Sequence, residues 1–91
     1  MIERAARIVN SQGLHARPAA LIVKLAGSFG ADITIHREGE EHAAVNAKSI
    51  MGVMMLAAEC GSAVIIRADG ADADRATEAL AALVAGGFGE Q

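Results

Sequence analysis

Tryptophan and tyrosine are absent from this sequence, and phenylalanine occurs only as Phe29 and Phe88. Aromatic platforms for stacking nucleic-acid bases cannot be assembled from that supply. Positive charge is also scarce: eight Lys and Arg stand against 11 Asp and Glu, a net charge of −3, so no basic stripe exists to neutralise a phosphate backbone. Nucleic acid is therefore not an expected partner. Cys60 is the single cysteine, which rules out an intramolecular disulfide, a CxxC redox pair and a four-cysteine zinc site. It is expected to be a small buried or half-buried filler. The uncharged, mostly apolar run Ile50 to Ala58 covers nine residues, against about 20 for a membrane-spanning helix. Glu3, Arg4 and Arg7 interrupt the N-terminal stretch, so neither a secretory signal nor membrane insertion is expected. The expected location is the cytoplasm.

What the chain does contain is enough for one small core. Its 91 residues are 53% hydrophobic, but 21 are alanine, and a chain of this length is expected to form one domain over residues 1–91. Arg4 to Val9 puts Ala6 and Ile8 on one face and Arg7 on the other, the period of a half-buried strand. Ala16 to Phe29 spaces Ile22, Leu25, Ala26 and Phe29 as a helix, with Lys24 facing away, Pro18 in the first turn, and Gly27 and Gly30 at its end. Asp32 to Arg37 and His42 to Asn46 alternate around the Gly39-containing turn of residues 38–41 and read as a hairpin with Ala43 and Val45 inward. Ser49 to Leu56 is too apolar for a one-sided helix, which leaves a face to spare. Ala63 to Ala68 alternates as a fourth strand. Asp72 to Gly86 reads as a helix, with Asp72 and Asp74 at its positive end and Ala76, Leu80, Leu83 and Val84 inward. The final GGFGEQ reads as a frayed tail. The order βαββαβα, with alternating strands, predicts an α+β sandwich whose antiparallel sheet is covered on one face by helices.

Gly13-Leu14-His15-Ala16-Arg17-Pro18-Ala19-Ala20 is the segment richest in chemistry. His15 falls just before a helix, where the first backbone amides have no intrahelical acceptors and attract anions. Arg17 offers a guanidinium to the same anion, and the amides of Ala16 and Arg17 are the backbone donors nearest to it. Small Ala16, Ala19 and Ala20 leave the imidazole accessible. Ser49 is placed to cap the second helix. His36 and His42, on opposite arms of the hairpin, are expected to face each other on its outer side, but two histidines without a third ligand make a poor metal site. No nucleotide-binding glycine loop, carboxylate pair or Ser/His/Asp set is identifiable, and no metal or cofactor is expected.

The uninterrupted eight-residue string resembles the active-site signature of HPr, the histidine-containing phosphocarrier family of the bacterial phosphoenolpyruvate:sugar phosphotransferase system. Asn46-Ala47-Lys48-Ser49-Ile50-Met51-Gly52-Val53-Met54 is similar to a second segment of the same family. The resemblance implies an open-faced β-sandwich of four antiparallel strands under three helices. It implies that Nδ1 of His15 accepts a phosphoryl group from Enzyme I and passes it to a histidine on an EIIA domain, with Arg17 stabilising phosphate. The chain would then be a phosphoryl-transfer intermediate and not a stand-alone enzyme. The serine matching Ser49 is, in many bacteria, the target of HPr kinase/phosphorylase. Ile50, Met51 and Met54 align with the family's exposed apolar patch; Ala16, Ala20, Lys24 and Lys48 complete the expected partner surface of a monomer. Ala16 stands where some members carry threonine, and Asn10, Ser11 and Gln12 match the family less closely. Two alternatives stay open: a nitrogen-related carrier with a mainly regulatory role, and a small domain that binds an anion without accepting phosphate.

Overall fold

The computed structural model describes residues 1–90. Its elements are β1 (Ile2–Arg7), α1 (Ala16–Gly27), β2 (Asp32–Arg37), β3 (Val45–Asn46), α2 (Ile50–Met55), β4 (Ala63–Asp69) and α3 (Ala73–Ala85). The strands form one antiparallel sheet in the order β1-β4-β2-β3. Alternation decides which side chains face the helices. Ile33 and Ile35 of β2 lie beside Ala68 and Ile66 of β4, and Ala6 of β1 lies opposite Val64. All of these are buried. Ile22 from α1 and Leu80 and Val84 from α3 close over Ile35 and Ile66, and Val53 of α2 completes the cover. The expected α+β sandwich of four strands and three helices is the observed one.

Several local expectations are corrected. The second arm of the hairpin shrinks to Val45–Asn46, because Glu41–Ala43 forms a short 3-10 turn in which Ala43 is exposed. His36 and His42 do not share an outer surface: His36 is buried and His42 exposed. Cys60 is exposed, its Sγ 3.7 Å from the Val9 carbonyl oxygen. Asp72 precedes α3 without capping it. Its carboxylate instead accepts from the Gly30 and Ala31 amides, at 2.9 Å each. The supposed tail is also ordered as far as Glu90: Gly87–Gly89 make a 3-10 turn and Phe88 is buried. Gln91, the last residue of that segment, lies outside the described residues. No helix among the described residues is long and apolar enough to cross a membrane.

Candidate functional site

The first turn of α1 is built by its approach loop. The Asn10 carbonyl accepts from the Gly13 amide at 3.1 Å, and the Leu14 amide donates to the Ala58 carbonyl at 3.0 Å. Leu14 is buried, so the loop is pinned on both sides of Gly13. His15 follows as the residue before α1, with extended backbone and no side-chain capping bond. Its carbonyl accepts from the Ala19 amide and its own amide donates to the Gly13 carbonyl, both at 3.0 Å. The imidazole is therefore left out of the capping geometry, with 35% of the side chain exposed.

Counting donors at this helix start gives a definite result. Pro18 has no amide hydrogen, and the Ala19 amide is taken by His15. The Ala16 and Arg17 amides lie within the first turn, where no intrahelical acceptor exists; among the described residues they have none elsewhere. The Arg17 side chain is exposed and makes no ion pair with a described residue. One half-exposed ring, two unpaired amides and one uncommitted guanidinium are thus available around the positive end of a 12-residue helix. Such an arrangement can hold an anion on the ring without enclosing it.

Ser49 caps α2 as its sequence position predicts, its Oγ accepting from the Gly52 amide at 3.2 Å. It does not adjoin His15. The start of α2 is tied to the far end of α1, where Lys48 Nζ donates to the Phe29 carbonyl at 2.9 Å. The segment leaving α2 returns to the near end through Ala58 and Leu14. The two helices therefore run side by side in opposite senses, with His15 and Ser49 at opposite ends. A 12-residue helix spans roughly 18 Å.

Between these ends lies an exposed apolar surface. Ile50, Met51 and Met54 are solvent-facing, as the spare face of this segment predicts. Met55, 77% exposed, belongs with them and was not among the expected contact residues. Its signal was present in the apolar excess of α2, but three consecutive large residues, Val53 to Met55, hide which one turns inward. Ala16, Ala20 and Lys24 are exposed on α1. Lys48 is half-buried, and its ammonium is committed to Phe29.

One neighbour of His15 had no sequence expectation at all. The Glu90 carboxylate lies against the ring, with Oε1 3.4 Å and Oε2 3.3 Å from Nε2. A separation of 75 residues conceals the pairing, and the only local hint was an isolated Phe88 among glycines. Among the described residues no cluster of three or more potential metal ligands occurs.

Comparison with known proteins places these features in a group. Residues 2–86 match the family model described as the PTS HPr component phosphorylation site. The phosphocarrier protein HPr of Cupriavidus necator is 49% identical over 90 residues, covering 99% of this chain and 98% of that protein. A crystal structure of HPr from Thermoanaerobacter tengcongensis superposes with a TM-score of 0.90 at 43% identity, covering 100% of this chain and 99% of that one. The catabolite-repression protein Crh of Bacillus subtilis, described as a domain-swapped dimer, matches with a TM-score of 0.73 at 41% identity, covering 96% and 97% of the two chains.

Proposed function

We propose a function from one premise: the chain belongs to the HPr family of phosphocarriers of the phosphotransferase system. In this reading His15 takes a phosphoryl group from the phosphohistidine of Enzyme I and gives it to a histidine of an EIIA domain. Nδ1 forms a bond to phosphorus while the donor nitrogen leaves with its electron pair, and the second transfer repeats the exchange in the other direction. Because each step replaces one N–P bond with another, the protein needs exposure and orientation more than tight binding. The Ala16 and Arg17 amides and the Arg17 guanidinium are the phosphate-holding groups. Deep enclosure would make the carrier a poor donor.

The observation that carries this reading is the half-exposed His15 ring beside donors that no other described residue uses. Ile50, Met51, Met54 and Met55, with Ala16, Ala20, Lys24 and Lys48, form the docking surface. Methionine's flexible side chain suits a face that must fit several unrelated partners. The same single-domain chain acts as a monomer in the cytoplasm, although the swapped dimer described for Crh makes a second association state worth measuring. Likeness to Crh also supports regulation through Ser49, phosphorylated by an ATP-dependent kinase. Transport and regulation then share one docking face.

Incubating the chain with phosphoenolpyruvate and Enzyme I should give an acid-labile adduct of one phosphoryl group, detected by mass spectrometry. His15→Ala should abolish it. Arg17→Ala should slow its formation by about 10- to 100-fold, the effect of losing one charged hydrogen bond of about 1.5–3 kcal/mol. The absence of any adduct would remove the carrier assignment in favour of plain anion binding, and an acid-stable adduct, or one that survives His15→Ala, would move the phosphoryl group to another residue and overturn the role of His15.

A further inference from the structure

We infer that Glu90 is a positioning residue for the His15 ring; this rests on the acceptor role proposed above. Both carboxylate oxygens approach Nε2, at 3.4 and 3.3 Å. The contact is built into the fold. Phe88 is buried, and Gly87 presses on Val9 and Asn10: a Cβ there would meet Val9 Cγ2 at 3.3 Å and Asn10 Cβ at 4.0 Å. The Glu90 amide donates to the Gly87 carbonyl at 2.9 Å, which closes the hook.

Asn10 supplies an independent grip. It is buried, and its Nδ2 donates to the Gly13 carbonyl at 2.8 Å and to Glu90 Oε1 at 3.1 Å. Two acceptors on one side fix the amide, because the reverse orientation would set oxygen against oxygen. Asn10 Oδ1 has no partner among the described residues. A buried amide thus joins the loop before α1 to the carboxylate facing the ring.

An ionised carboxylate can only accept hydrogen bonds, so the contact selects the ring form with hydrogen on Nε2. The neutral ring has one such hydrogen, and Nδ1 therefore keeps its lone pair. When Nδ1 bonds to phosphorus, the donor's N–P bond breaks and its electrons leave with the donor. The His15 ring becomes cationic with Nε2–H retained, and Glu90 faces the new positive charge without taking the proton. Donation reverses each change. At 3.3–3.4 Å the contact is longer than a closed charge-assisted bond of about 2.7–2.9 Å. It gains most when the ring is charged, so it favours the transition state over the resting protein.

The test compares the full chain with Glu90→Gln and Glu90→Ala. Proton and nitrogen spectra of unphosphorylated protein should show a hydrogen-bonded, slowly exchanging Nε2–H in the parent, weakened in Glu90→Gln and lost in Glu90→Ala. Phosphoryl uptake from phospho-Enzyme I should fall about tenfold in kcat for Glu90→Ala, equal to about 1.4 kcal/mol, with KM for Enzyme I unchanged. An Nε2–H signal indifferent to Glu90, or faster uptake in the variants, would overturn the inference and mark Glu90 as idle or as an electrostatic brake. A parent chain that takes no phosphoryl group would overturn this role and the acceptor reading together. A labelled parent whose variants behave identically would overturn this role alone.

Discussion

Gly13 shows how little freedom a single residue can have next to His15. Its φ is +65°, and a Cβ added there would lie 2.4 Å from the Ala58 carbonyl oxygen and 2.9 Å from Glu59 Cα. Both obstacles are backbone atoms, so no side chain can swing aside. Gly13→Ala should cost about 2 kcal/mol or more, combining the left-handed conformation with the clash. Urea unfolding would measure that loss; phosphoryl uptake should fall as well, because the displaced loop carries the ring. That a glycine stands before His15 was plain in the sequence. The close approach of residues 58 and 59 was not, since no local pattern reports what packs from elsewhere. Cys60 was misread for the same reason: cysteine is commonly buried, but here it sits in the exposed loop after α2.

At the scale of elements, the opposed α1 and α2 separate the two sites that the sequence presents as equals. The six residues of α2, roughly 9 Å of helix, stand between Ser49 and the contact of Ala58 with Leu14, and charges are screened over about 8 Å at physiological salt. A charge at Ser49 therefore acts first on whatever docks over α2 and less on the His15 ring. Ser49→Asp keeps a good capping side chain, so circular dichroism should be unchanged. Its affinity for Enzyme I should fall by about threefold to tenfold in calorimetric titration, through charge placed at the docking face. Unchanged affinity would sever Ser49 from docking. Strand β2 and the helices α1 and α3 were legible because their apolar periods are long enough to fix a face. The short β3 was not. Residues 41–43 are held as a turn partly by Arg67 of β4, whose guanidinium reaches Glu41 Oε2 at 2.7 Å while also pairing with Glu3. That competition comes from 26 residues away.

Across the whole molecule, Asp72 ties the start of α3 to the turn between α1 and β2. The Gly30 amide, and after it the Ala31 amide, hold its carboxyl below the usual carboxylate range. Hydrogen bonding to Arg67 does the same for Glu41. A carboxyl depressed in the folded state stabilises it above the unfolded value, near pH 4, and loses that contribution as pH falls through the folded value. Stability should therefore decline on acidification below about pH 4. Asp72→Asn should flatten that decline, leaving the part due to Glu41, as measured by urea midpoints across the acid range. Arg67 shifts upward, so it stays charged throughout this window and the pairing is lost from the carboxylate side. The sheet order adds a consequence for how a cell makes this protein. Both β1 and β2 find their main partner in β4, so a nascent chain carries its first strand unpaired until residue 69 has left the ribosome. The sheet cannot close before β4 emerges, and until then the growing polypeptide depends on its surroundings to keep β1 from other company.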